Sequence, residues 1–526
     1  MWRLLNVRTS GGSLPLLEEA WALSATVSLR AEPYGATVYN FSTRKLSFLK
    51  DPRLAVAVKH MGGHASALEA CRAAGVVDRE LPAFAKGLRR LAEAGVLVPR
   101  GPACVAEALL VEPSTSGREG GRRSVARAPV AGPTSGVAGH ALADQLERGL
   151  GAPICLTWEL TYACNLSCVH CLSSSGRRDA GELSTQECEA FLDDLGEVGV
   201  FYVNIGGGEP TIRRDFWHLV DYATAHRVGV KFSTNGTRFT PSVARRLAAN
   251  DYVDVQISID GATAEVNDAV RGNGSYASAR RAMTLLSDAG FVGFKLSVVV
   301  TRENVGQLDR LKALAEEHGA QLRLTRLRPS GRGARVWAQL HPTADQQRLL
   351  YEWLRAQGEE VLTGDSFFHL GAYGDPLPGL NLCGAGRVVC LVDPVGDVYA
   401  CPFAIHDDFR AGNVRSPGGF GEVWRSSALF SRLRAPSDAG TCKACSSFGT
   451  CRGGCLASKY FTGLPLDGPD PECVKGHGED ALAQVGARSV PRPSVDHSSG
   501  RGMPVALSRR PAVRRSRGVP ALGLDA

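Results

Sequence analysis

No stretch of this 526-residue chain is apolar for long enough to cross a membrane, which takes about 20 consecutive residues. The N-terminus lacks the apolar core and small-residue cleavage site of a secretory signal, so a cytoplasmic location is expected. Bulk charge is also lacking. The formal net charge is +7, and Ala487–Ala526 alone holds eight Arg, no Lys and two Asp, a net of +6. The rest is nearly neutral, so neither nucleic acid nor a membrane is expected as a partner. Residues 479–526 contain no aromatic residue and are dense in Pro and Arg, which reads as a disordered basic tail. Residues 101–150 show no apolar period; Pro, Gly, Ser, Arg and Ala dominate, as in a flexible linker.

Cysteine, by contrast, is plentiful: fifteen residues. In a cytosolic chain that number argues for metal ligation rather than disulfides. Three of them form a tight run, Cys164-Asn-Leu-Ser-Cys168-Val-His-Cys171, at the end of an apolar, strand-like segment, Ile154–Leu160. Three thiolates on one loop can hold three irons of a [4Fe–4S] cluster and leave the fourth iron open. A zinc knuckle is the alternative and would need His170 as its fourth ligand.

From 154 to 328 strand-like and helix-like stretches alternate. The strands are expected at 154–160, 201–206, 230–233, 253–259, 294–300 and 322–327, with helices at 185–198, 214–225, 241–250, 276–289 and 304–319. Alternation at this spacing means parallel strands with crossover helices, and six units suggest a partial (β/α)6 barrel in residues 151–335. Chemistry in such barrels sits at the C-terminal ends of the strands, where the three-cysteine loop leaves the first. Ahead of the linker, residues 1–100 read as a small separate domain. Short strands are expected at 27–30, 37–41, 44–48 and 95–98, and helices at 51–60, 65–74 and 81–94.

The three-cysteine spacing resembles that of the radical S-adenosylmethionine (SAM) enzymes, in which SAM occupies the open iron. One strand later comes Gly206-Gly207-Gly208-Glu209-Pro210, similar to the family's segment at the SAM amine. The third strand ends Ser233-Thr234-Asn235-Gly236 and the fourth Ser258-Ile259-Asp260-Gly261, followed by Arg271. The resemblance implies that Gly207, Gly208, Glu209, Ser233, Asn235, Ser258 and Arg271 bind SAM, with Arg271 on its carboxylate. Turn chemistry is the other reading of Asn235, a salt bridge that of Arg271, and a helix cap that of Asp260. One departure is His170, where the family carries an aromatic residue.

The last third holds eight more cysteines: Cys383, Cys390, Cys401, Cys442, Cys445, Cys451, Cys455 and Cys473. Cys383-x12-Gly396-x4-Cys401, Cys442-x2-Cys445-x5-Cys451-x3-Cys455 and a final cysteine are similar to the SPASM extension of peptide-modifying radical SAM enzymes, here residues 336–478. The resemblance implies two auxiliary [4Fe–4S] clusters: one on Cys383, Cys390, Cys401 and Cys455, the other on Cys442, Cys445, Cys451 and Cys473. A zinc ribbon is the alternative for the four middle cysteines. Cys71, Cys104, Cys155 and Cys188 are left as packing or surface residues.

Within that family, residues 151–477 resemble the mycofactocin maturases most closely, above all at Cys383-Gly-Ala-Gly-Arg-Val-Val-Cys390 and Asp393–His406. Residues 27–50 resemble the mycofactocin peptide chaperone, a small winged-helix-like domain that binds precursor peptides. A winged-helix DNA binder is the alternative for this part. The resemblance implies a fused maturase that oxidatively decarboxylates the C-terminal Tyr of a short ribosomal peptide and joins it to the penultimate Val. It also implies a flavodoxin or ferredoxin as electron donor. Other SPASM crosslinking chemistry, or a non-catalytic iron–sulfur or peptide-carrier role, are the competing expectations. Arg326 and Arg328, at the end of the sixth strand, are candidates for a terminal carboxylate, for SAM or for ion pairs. No catalytic side chain is singled out.

Overall fold

The computed structural model describes residues 15–100, 146, 148–363, 367–378, 382–435 and 440–485. The N-terminal domain has five strands: β1 (Trp21–Leu23), β2 (Val27–Glu32), β3 (Gly35–Asn40), β4 (Lys45–Leu49) and β5 (Leu97–Pro99). β2, β3 and β4 form an antiparallel meander, and β1 pairs with β5. β1, too short to show a period, was not expected. Helix Pro52–His60 starts at Asp51, whose carboxylate accepts the Arg53 and Leu54 amides. Helix Leu81–Glu93 buries Phe84, Leu88 and Leu91, one stripe at helical spacing.

β3 is buried along its whole length because it serves two cores. Ala36 and Val38 face the domain's own helices, while Tyr39, followed by Phe41, faces the other way. There it packs on Phe201, Ile154 and Val388 of the next domain. Successive side chains of a strand point to opposite faces, so one strand can join two bodies. Phe41 stacks on Tyr252 at 4.3 Å, and Arg30 donates to the Gly199 carbonyl at 3.1 Å.

The second domain is built on β6 (Cys155–Thr161), β7 (Tyr202–Gly207), β8 (Gly229–Thr234), β9 (Val253–Ser258), β10 (Lys295–Val300) and β11 (Gln321–Arg326). All six are parallel and lie in sequential order, the partial (β/α)6 barrel of the sequence reading. Val203, Ile205, Val230, Phe232, Val255 and Ile257 point outward under the helices. Their neighbours Asn204, Lys231, Ser233, Gln256 and Ser258 point inward and line a lumen of about 470 Å³. Beyond β6 the sheet continues through β12 (Val389–Val392), β13 (Asp397–Tyr399) and β14 (Arg410–Asn413). The C-terminal cysteine-rich segment is thereby hydrogen-bonded to the barrel's first strand.

Some elements run across the expected boundaries. Helix Gly333–Leu340 runs across the expected join at 335, and helix His477–Gln484 runs past the expected end at 478. Leu146 and Leu150, expected in the linker, are buried against the inter-domain cluster. Helix Ala264–Arg271 was not expected; Thr263 caps it, not Asp260. Cys104, most of the linker and residues 486–526 lie outside the described residues. Among those described, no helix is long and apolar enough to cross a membrane.

Candidate iron–sulfur and SAM site

Cys164, Cys168 and Cys171 follow β6 directly and line the upper end of the lumen. Burial pushes the Cys164 thiol up to about 12 and the Cys168 thiol up to about 11, and in each case neighbouring cysteines of the run add to the rise. Those two thiols are therefore protonated at neutral pH, and a cluster would release their protons on binding. Among the described residues no three metal donors already stand in coordination geometry.

The glycines of the β7 turn permit close approach. A Cβ on Gly208 would lie 2.0 Å from the Ala163 carbonyl oxygen, and Gly207 has φ +97°. The Gly208 amide donates to Thr161 and the Glu209 amide to Ala163, so the turn is stitched to the start of the cysteine loop. Glu209 is buried; its carboxylate accepts from Thr234 Oγ1 at 2.8 Å and from the Asn235 amide at 2.8 Å. Burial raises its pKa against these hydrogen bonds. Asn235 Oδ1 accepts from the Thr237 amide, the turn chemistry weighed above, while its Nδ2 donates to Asn165 of the cysteine loop at 2.8 Å. Ser233, Ser258 and Arg271 line the same lumen.

The cysteine loop takes part in a buried ion cluster. Asp260 Oδ2 stands 2.9 Å from His170 Nε2 and 2.7 Å from Arg271 Nε. Against the cost of its burial, Arg271 and His170 hold the Asp260 carboxyl well below the usual range. Asp260 is thus the hub that sets the ring of the unusual His170 and the guanidinium of Arg271. Arg332 was not foreseen. Its side chain donates to the Cys168 and Ser175 carbonyls at 2.9 and 2.8 Å, clamping the loop from across the barrel. Glu159, on β6, is buried in the lumen wall with Oε2 unpaired, and burial first, then the Asp393 charge, pushes it up to about 8.

The structure splits the later cysteines. Cys442, Cys445, Cys451 and Cys473 line one small cavity. Cys383, Cys401 and Cys455 form a second group: burial raises Cys383 and Cys401, and the charge of Cys455 adds to both. Burial also works on Cys455, but Arg328 and Arg326 outweigh it and hold that thiol below its ordinary value. Cys390, expected in this group, is not brought to it. It pairs with Leu156 in the β12–β6 ladder, one residue from Val389, which lines the lumen. Strand alternation turns its side chain to the opposite face, into the main core near Arg434 and away from the lumen that Cys155 and Val389 line. Arg326 does not face a ligand either: its guanidinium is buried between Asp470 and Glu472. Asp470 also accepts the Cys455 amide at 2.7 Å, joining the sixth strand to the cysteine-rich domain. Arg328 lies over the Phe403 ring, 3.4 Å from its centre.

Three family profiles match this chain: the peptide chaperone MftB family over residues 20–98, the radical SAM superfamily over 158–315, and the SPASM iron–sulfur cluster-binding domain over 383–446. The chain is 68% identical over 379 residues to the mycofactocin maturase MftC of Mycobacterium tuberculosis (strain CDC 1551 / Oshkosh), a match covering 71% of this chain and 96% of the relative. It is 69% identical over 369 residues to that of Mycolicibacterium smegmatis, covering 70% and 94%. In fold it resembles Streptococcus suis SuiB crystallised with its precursor peptide SuiA. That likeness has a TM-score of 0.59 at 16% identity and covers 88% of this chain and 100% of SuiB. The three-cysteine loop at the mouth of a parallel barrel, the cysteine-rich extension and these likenesses agree: the chain belongs to the radical SAM peptide maturases, in the mycofactocin maturase family, with an MftB-like chaperone domain ahead of the barrel.

Proposed function

We propose that this enzyme oxidatively decarboxylates the C-terminal Tyr of a short ribosomal peptide and bonds the resulting carbon to the penultimate Val. The observation that carries this reading is the likeness to mycofactocin maturases over nearly their whole length. Cys164, Cys168 and Cys171 would hold a [4Fe–4S] cluster with one open iron, and Gly207, Gly208, Glu209, Ser233, Asn235, Ser258 and Arg271 would surround SAM. When bound, cluster and SAM supply hydrogen-atom abstraction from an unactivated carbon. Cys383, Cys401 and Cys455 would hold one auxiliary cluster, and Cys442, Cys445, Cys451 and Cys473 another.

The chain's own residues orient and enclose. Glu209 ties the SAM-side turns of β7 and β8 together, Asp260 fixes His170 and Arg271, and Arg332 pins the cysteine loop. Residues 20–98 would capture the peptide's leader as an added strand on an outer strand of the meander. A flavodoxin or ferredoxin would deliver the electrons. The test is anaerobic turnover of the reconstituted full chain with SAM, reductant and a precursor ending in Val-Tyr, read by mass spectrometry. A product lighter by the elements of formic acid is expected. Loss of two hydrogens alone would move the reading to a simple crosslink.

A further inference from the structure

The lower end of the lumen carries a charge arrangement that the SAM site does not use. Lys231 of β8 and Lys295 of β10 project inward near the N-terminal ends of their strands, and both line the cavity. Tyr39, Arg44 and Leu46 of the N-terminal domain close the cavity from below. The chaperone-like domain is therefore a wall of the reaction chamber as well as a peptide-capture module. Arg44 reaches across the domain boundary and donates to the Val253 and Val292 carbonyls at 3.3 Å each.

These three cations share one carboxylate. Asp254 Oδ2 lies 2.9 Å from Lys295 Nζ and 3.7 Å from Lys231 Nζ, and its Oδ1 lies 3.6 Å from Arg44. Among the described residues no other acid pairs with any of them. Burial, with the like charges of Lys231 and Arg44, drives Lys295 down to about 8 against the pull of Asp254. A buried surplus of positive charge facing a cavity is costly unless an anion completes it. Lys231 lines that space with about a quarter of its side chain exposed, its Nζ 4.8 Å from the centre of the Tyr202 ring. Beside it, Gln256 Oε1 is buried with no donor, although its amide nitrogen is bonded to Asn204. The site thus offers cationic donors and one unfilled acceptor.

Depth sets what can reach it. Lys231 lies three residues below Thr234, about 10 Å along the strand. A tyrosyl residue whose reacting carbon sits at the SAM end can span much of that depth. We propose that the lumen floor is an oxyanion subsite for the C-terminal residue of the bound peptide, built jointly by Lys231 and Lys295 of the barrel and Arg44 of the N-terminal domain. This rests on the peptide-maturase reading. A terminal Tyr offers two acidic groups that these cations would hold as oxyanions: its carboxylate, next to the backbone, and its phenol, at the far end of the ring and ionised only where the cations lower its ordinary pKa of about 10.

The test measures binding without turnover: the reconstituted full chain with SAM and no reductant, titrated calorimetrically with precursors ending in Val-Tyr, Val-Tyr-amide or Val-Phe. For the wild type, one of the two altered peptides binds at least about tenfold more weakly than Val-Tyr, the loss expected for a charge-assisted hydrogen bond. The amide identifies the carboxylate as the occupant; the Phe peptide identifies the phenol. Lys231→Met weakens Val-Tyr by a similar factor and leaves that altered peptide unchanged, while Lys231→Arg restores most of the affinity. Equal wild-type affinity for all three peptides would overturn the subsite. So would a Lys231→Met variant, matched to the wild type in cluster spectrum and melting, that weakens all three alike. Failure of the wild type to bind any of them would instead overturn the maturase reading.

Discussion

Replacing Gly208 by Ala should cripple the SAM site through the backbone alone. The added methyl would sit 2.0 Å from the Ala163 carbonyl oxygen, 2.6 Å from its carbon and 3.0 Å from the Tyr162 carbonyl carbon. Ordinary contact begins near 3.4 Å, so turn and loop must part by about 1.4 Å. No flexible side chain can yield, because all three atoms are backbone. The two amide bonds that stitch the segments, Gly208 to Thr161 at 2.7 Å and Glu209 to Ala163 at 2.9 Å, oppose the shift. Overpacking costs about 1–3 kcal/mol and breaking one of the two bonds about 1–3 more, so a loss of about 2–6 kcal/mol is expected. For a barrel of this size that is a fall in melting midpoint of about 10 °C. Ala163 adjoins Cys164, and a misplacement of about 1 Å at a reacting centre costs about a hundredfold in rate. Calorimetry on the reconstituted protein and 5′-deoxyadenosine formation, measured together, decide the matter. A Gly208→Ala protein with wild-type melting and wild-type SAM cleavage would refute the packing argument.

Three further outcomes follow from buried groups. Asp470→Asn leaves Arg326 with Glu472 as its sole carboxylate and weakens the acceptor of the Cys455 amide. It should cost about 3 kcal/mol in denaturant titration and lower the iron bound per chain, and an unchanged midpoint would count against it. Glu159, raised to about 8 chiefly by burial, is protonated in the fold where the unfolded chain is ionised. Its contribution is full below the ordinary carboxylate range and is lost as pH rises through about 8. Stability should therefore fall with rising pH, by at most about 1.4 kcal/mol per unit for this group. Glu159→Gln should flatten the melting profile, and identical slopes would remove the claim. Cys390→Ala should retain all the iron of the wild type, whereas Cys401→Ala should lose one cluster's worth; equal losses would return Cys390 to the ligand set.

Local patterns were legible in the sequence, and long-range facing was not. The six barrel strands announced themselves because each outward apolar pair, such as Val230 and Phe232, sits between turn residues and an amphipathic helix. Tyr39 and Phe41 read as an ordinary strand end, because a second core on the far face of β3 is invisible until the barrel is placed beneath it. Asp260 read as a helix cap since its partners, His170 and Arg271, come from two other elements. Arg326 and Asp470 are 144 residues apart, so no local pattern could pair them. Cys390 looked like an eighth ligand by count, and its facing became evident with the register of β12 on β6.

Cys164, Cys168 and Cys171, stitched to the Gly207–Glu209 turn, would form the SAM-cleaving centre of the proposed reaction. The direct measurement is anaerobic 5′-deoxyadenosine formation by the reconstituted full chain, beside Cys164→Ala, Cys168→Ala and Cys171→Ala variants that retain the later cysteines. Deoxyadenosine from the wild type and none from any of the three variants is the predicted result. A wild-type protein that carries its iron, is reduced, and leaves SAM intact would contradict the account.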